Sequence, residues 1–145
     1  MGKCTFKGGI HPYDGKELSK DKPIKELFPA VGEMVFPLSQ HIGAPAVPVV
    51  AKGDYVLAGQ LIAEAGGFVS ANIHSSVSGT VKSIEPRTLA TGGKCNSIII
   101  ENDGEFKEVE YTPKKLEELS KEEVLQRIKD AGVVGMGCLL YTSDA

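Results

Sequence analysis

The chain has 145 residues, of which 41% are hydrophobic and 24% charged, and its formal net charge is −3. That length holds one ordinary domain, or a small domain with extensions, and the composition is that of a globular protein. The slightly acidic balance excludes a nucleic-acid partner, and no apolar run approaches the roughly 18–20 residues of a membrane-spanning helix.

Charge is spread unevenly. Residues 1–25 carry six lysines against three acids, whereas residues 27–83 carry only Glu33, Lys52, Asp54, Glu64 and Lys82. The charge-poor middle is expected to be the packed unit. The start MGKCTFKGG lacks the apolar stretch of a secretory signal, and Phe6 stands where myristoylation wants Ser or Thr. Cys4, Cys95 and Cys138 are isolated and odd in number, which supports neither a disulfide framework nor a CxxC metal site. An intracellular location is expected.

In chain order, residues 1–30 read as an N-terminal arm. Phe6 to Pro12 has turn chemistry, with Gly8, Gly9 and Pro12. Asp14 to Pro23 is polar and lysine-rich. Lys16, Lys20, Lys22 and Lys25 suit a solvated arm, with a face for anionic lipid or an acidic partner as the alternative. Glu33 to Leu38 reads as a strand, and Pro37 marks it as an edge strand. Ser39 to Pro45 is a compact turn.

Val47 to Glu85 is the organising stretch. Lys52-Gly53-Asp54, Gly59-Gln60 and Ser78-Gly79 mark close turns, since glycine reaches positive φ at little cost. Between them lie Val, Leu, Ile and Ala runs too short for helices and rich in β-branched residues. Pro86 to Lys94 reads as a loop. Cys95 to Asn102 reads as a strand centred on Ile98-Ile99-Ile100, and Asp103-Gly104 as a hairpin turn. Glu105 to Tyr111 alternates as a returning strand. From residue 112 a helical region follows. Ser120 and Glu123 form a capping box, Val124, Leu125 and Ile128 one stripe, and Gly132 a C-terminal stop. The helix is about ten residues and needs a partner for stability. Residues 138–145, Cys138 to Ala145, continue no pattern. Reverse-translated, they resemble a transposon end used in library preparation, so this tail is expected to be non-native.

Residues 31–111 resemble the biotinyl/lipoyl carrier fold, in which a GDxVxxGQ segment packs against a later SGTV segment. The fold class is therefore mostly β, a barrel-sandwich hybrid domain with an N-terminal arm and a C-terminal helix. A carrier attaches its cofactor to a lysine at the hairpin tip. No lysine lies between Lys52 and Lys82, and the expected tip is Gly66-Gly67-Phe68. The scaffold without the nucleophile favours a docking or structural module. A biotinyl- or lipoyl-type carrier stays as one alternative, and a free-standing metal-binding domain using His11, His41 and His74 as another. No second His or Cys stands at i+2 to i+4 of any of the three, so structural roles such as bonding a turn carbonyl are expected. Cys95 is expected to be a small buried hydrophobe. Phe68 suits either docking or packing under the arm.

Gly8-Gly9-Ile10-His11-Pro12, then Pro37 through Ser39-Gln40-His41-Ile42-Gly43-Ala44-Pro45, then Lys52 to Gln60, Phe68 to Ala71, and His74 through Gly79-Thr80-Val81 follow one another in the order of a known family. In this succession the chain resembles the N-terminal part of RnfC, a component of the Rnf electron-transport complex, from about Phe6 to Gly137. The resemblance implies a peripheral subunit on the cytoplasmic face of a membrane-bound, ion-translocating complex. The full-length family binds two 4Fe-4S clusters, FMN and NADH, and works with ferredoxin and the other Rnf subunits. Its flavin domain opens on a glycine-rich loop of the form GxGGAGFPT. Here Gly135 and Gly137 match the start of that loop, and Cys138 stands where the next glycine belongs. The resemblance thus implies that residues 112–137 are a helix and the start of a truncated flavin- and NADH-binding domain. The two CxxCxxCxxxCP cluster motifs are absent. The fragment itself is expected to hold no cofactor and to be inactive.

Overall fold

The computed structural model describes residues 15–26, 32–89 and 91–135. The described strands are β1 (Gly32–Pro37), β2 (Val47–Pro48), β3 (Tyr55–Val56), β4 (Leu61–Glu64), β5 (Ile73–His74), β6 (Gly79–Thr88) and β7 (Lys94–Asn102), followed by helix α1 (Lys121–Asp130). They form two antiparallel sheets, ordered β1-β7-β6-β3 and β2-β4-β5. The result is the mostly β, barrel-sandwich architecture expected from the turns and short apolar runs. No described helix is long and apolar enough to cross a membrane.

β7 is the spine. It pairs with β1 on one side and β6 on the other, and Ile98, Ile99 and Ile100 are all fully buried. Ile98 and Ile100 join Val56, Ile62, Ile73 and Val81 in one core between the sheets. Ile99 faces the other way, with Val35 and Ser83 opposite it in the flanking strands. A continuous apolar run is what a strand covered on both faces requires. Each fully buried Ile or Val side chain contributes on the order of 1.5–3 kcal/mol by leaving water.

The two sheets are joined by one turn device used twice. Asp54 Oδ2 accepts the Ala51 amide at 2.7 Å, and the Asp54 amide donates to the Ala51 carbonyl at 3.1 Å. Gln60 Oε1 accepts the Leu57 amide at 2.9 Å, and its own amide donates to the Leu57 carbonyl at 3.1 Å. Each turn then ties across the barrel by a reciprocal pair. Gly53 donates to Val81 O and Val81 to Asp54 O; Gly59 donates to Ser75 O and Ser75 to Gln60 O.

Two expectations are corrected. β6 runs through Pro86 to Thr88, so the loop before β7 is shorter than Pro86 to Lys94. β3 pairs with β6 only at Gly79 and Thr80, which leaves the far part of β6 at a sheet edge, where proline is tolerated. Asp103-Gly104 turns the chain, but Glu105 to Tyr111 does not return along β7. Both edges of β7 are already taken by β1 and β6. The segment instead meets Ala58, whose amide donates to Lys107 O and whose carbonyl accepts from Val109 N.

β1 is an edge strand, as Pro37 implies. Helix α1 has the expected capping box: Ser120 Oγ accepts from the Glu123 amide at 3.2 Å, and Glu123 Oε2 accepts from the Ser120 amide at 2.8 Å. Gly132 follows it at φ 66°. The helix buries none of its residues. Residues 15–26 are exposed, lysines included.

Candidate functional site

The loop between β4 and β5 forms the hairpin tip, and it is zipped to the turn at residues 41–46. A Cβ on Gly66 would come within 2.1 Å of Pro45 O, so only glycine fits there. Ser70 Oγ donates to Ala44 O at 2.8 Å and accepts the Gly66 amide at 2.9 Å. The Ala44 amide donates to Val69 O at 2.9 Å. The Ala71 amide donates to His41 Nε2 at 3.1 Å, and His41 Nδ1 lies 3.0 Å from Ile42 O. Those two partners assign the ring proton to Nδ1, because a carbonyl can only accept and an amide N–H can only donate. His41 is thus a structural histidine bonded to a turn carbonyl, as expected.

This zipping presents Phe68 to solvent, fully exposed, with Ile42 85% and Val69 51% exposed beside it. Phe68 is thus exposed, while most of the arm it would pack under lies outside the described residues. The tip offers an apolar surface where a carrier would offer an amine.

Next to the tip lies a hollow of about 450 Å³, lined by Phe36, His41, Ala71 and Ile73 on the barrel and by Gly132 and Val134 of the C-terminal segment. Asn72 fastens that segment: its Nδ2 donates to Asp130 O at 3.1 Å, and its Oδ1 accepts the Ala65 amide. Gly132 packs so close that a Cβ would be 2.2 Å from Asn72 O. A second hollow of about 510 Å³ is lined by Leu38, Pro45, Val47, Leu89 and Cys95, among others. Cys95 is half-buried rather than buried, packs against the core, and donates its thiol hydrogen to Asn96 O at 3.0 Å. Its place near the start of β7, at the barrel's end, leaves one side open.

Gly135 is exposed and lies in no regular element. Gly137, Cys4, Cys138 and His11 lie outside the described residues. His41 and His74 both line the first hollow, yet no three His, Cys, Asp or Glu side chains among the described residues converge on a metal position. The cluster donors do not fit either. A tetranuclear iron–sulfur cluster needs four thiolates, and the sequence holds three cysteines spaced far apart.

Sequence reasoning misses a polar cluster at the other end of the barrel. Asp103 accepts from Tyr55 OH at 2.6 Å, from Ser78 Oγ at 2.7 Å and from the Glu105 amide at 2.9 Å. Ser78 Oγ accepts in turn from the Lys107 amide at 3.0 Å. The Tyr55 phenol, then the Ser78 hydroxyl, then the Glu105 amide hold the Asp103 carboxyl down to about 2. The same bond to Asp103 raises the Tyr55 phenol above its ordinary value. The cluster is a lock on the chain after β7, with its hydrogen bonds used internally. On the outer sheet face Glu33 meets Lys82 and Arg87, an exposed network; Lys82 lowers the Glu33 carboxyl and Glu33 raises the Lys82 amine. Such surface pairs contribute little to stability.

The RnfC barrel sandwich hybrid domain model matches residues 4–105. The chain is 48% identical over 135 residues to the C subunit of the proton-translocating ferredoxin:NAD(+) oxidoreductase complex of Clostridium ljungdahlii, covering 92% of this chain and 29% of that protein. It is 42% identical to the Na(+)-translocating counterpart of Acetobacterium woodii, covering 92% of this chain and 30% of the other. It is 40% identical to the C subunit of the ion-translocating oxidoreductase complex of Rhodobacter capsulatus, covering 96% and 27%. The chain thus spans less than a third of the length of these curated relatives. With the barrel, its turn pairs and its lysine-free tip already described, the match over more than half of the sequence shows that the chain belongs to the RnfC barrel-sandwich hybrid family.

Proposed function

We propose that the chain is the structural and docking N-terminal part of a longer RnfC protein, a component of an ion-translocating ferredoxin:NAD⁺ oxidoreductase. One observation carries this reading: the carrier-type barrel presents Phe68 on a rigid, uncharged tip where a carrier presents its lysine. The barrel has the geometry to hold a surface in place and lacks the group for covalent chemistry. In the longer protein, Gly135 and Gly137 begin a glycine-rich loop whose backbone amides approach a nucleotide phosphate. FMN, NADH and two 4Fe-4S clusters belong to the residues beyond, and residues 138–145 are not part of the native sequence. The other Rnf subunits and ferredoxin are the partners, and the protein lies peripherally on the cytoplasmic face of the membrane.

Removing residues 1–111 from the longer protein tests this. The expected result is a remainder that retains flavin and iron yet fails to copurify with the other subunits. Full assembly and ferredoxin:NAD⁺ activity without the barrel would overturn it. The carrier alternative is decided by intact mass after expression in a host with biotin and lipoyl ligases, where no adduct is expected.

A further inference from the structure

We propose that the first hollow and the apolar tip beside it are the seat on which the part of RnfC that follows Gly135 folds back. This rests on the reading of the chain as part of a longer protein, and it names the occupant of one surface of it. Val133, 68% exposed, lines the hollow, and Phe68, Ile42 and Val69 stand exposed on the tip, beside His41 and Ala71, which line it too. Isolated exposed apolar residues are ordinary; several around one hollow mark an interface. The barrel side of the patch carries no charge. No Asp, Glu, Lys or Arg occurs in residues 34–51 or 65–81. An anionic bilayer or a strongly charged partner would want complementary charge here, and the barrel side offers none.

Position selects the occupant. Asn72 and Gly132 anchor the chain at the hollow, Val133 and Val134 line it, and Gly135 follows them directly. Relatives of which this chain covers 27–30% have most of their residues elsewhere. A polypeptide continuing from Gly135 starts beside the patch, at a high effective concentration that no separate protein shares.

Amide hydrogen exchange tests the proposal. Residues 66–71 are compared in the 145-residue chain and in the isolated longer protein. The expected result is exchange slower by about tenfold or more in the longer protein, since docking suppresses local opening. Phe68→Ser in the longer protein is expected to restore the fast exchange while Ile98–Ile100 stay protected. Equal exchange in the two chains overturns the proposal. So does protection that arises only when the other subunits or phosphatidylcholine–phosphatidylglycerol vesicles are added. The barrel-deletion experiment above can fail while this protection persists, so the two readings fail separately.

Discussion

The phenol of Tyr55 reaches across 48 residues of sequence to donate to Asp103 at 2.6 Å. That bond ties β3 to the chain leaving β7, and Ser78 next to the start of β6 completes the tie. Three hydrogen bonds favour the ionised carboxylate, which is why its proton affinity is depressed to about 2 from an ordinary 3.8.

The sign of the resulting pH dependence is fixed. A folded value below the unfolded one means the stabilisation is complete above about pH 4 and is lost as pH falls toward 2. Asp103→Asn cannot accept from both hydroxyls, so it is expected to melt below wild type at pH 7. The gap should narrow as pH falls from 4 to 2, where the wild-type carboxyl becomes neutral too. Thermal melts of both proteins across that range check this; a pH-independent gap would count against the carboxylate as the cause.

Gly43 and Gly53 have nearly equal φ angles, 96° and 97°, and different surroundings. A Cβ at Gly43 would lie 2.1 Å from Val69 O, whereas at Gly53 it meets nothing within 4 Å. Both alanine variants carry the left-handed backbone strain, about 1–2 kcal/mol. Gly43→Ala must also pry the 41–46 turn from the tip. It is expected to cost at least about 1 kcal/mol more than Gly53→Ala in denaturant melts.

What can be read in advance follows the range of each interaction. The Asp54 and Gln60 turns are legible because each side chain bonds an amide three residues back. The β7 spine is legible because three consecutive isoleucines need cover on two faces. Pro86 reads as a loop and lies in a strand, because proline's cost depends on whether its strand edge is free, which the local sequence does not state. The returning strand after Asp103-Gly104 fails for the same reason: turn chemistry is local, while a vacant edge on β7 is a property of the sheet. The hollow beside the tip joins Ala71 to Gly132, and nothing in either segment announces the other.

The core and the helix stripe make contrasting targets. Ile62 is fully buried between the sheets, whereas Leu125 is 57% exposed. Ile62→Ala is expected to cost about 2–5 kcal/mol, the cavity term included. Leu125→Ala in this chain is expected to stay within about 0.5 kcal/mol. Urea denaturation of both variants checks the contrast. A large loss at Leu125 would mean that α1 is packed against more of the chain than its exposure indicates.

Helix α1 depends on its own ends, because it buries none of its residues. Ser120→Ala removes the acceptor of the Glu123 amide and is expected to destabilise the helix by about 0.5–2 kcal/mol. The barrel melt should hardly move, since the Asn72–Asp130 bond and the close approach of Gly132 are the described ties between the two. Chemical shifts of residues 121–130 should drift toward coil while those of β6 and β7 stay. The Ser120 amide lowers the Glu123 carboxyl, so the cap contributes above the ordinary value of 4.5 and is lost as pH falls below it. Acidifying the wild type through that range should therefore fray α1 before the barrel responds, and Glu123→Gln, which has no carboxyl to titrate, should flatten the fraying curve. Simultaneous loss of helix and barrel signals would show that α1 is part of the cooperative core.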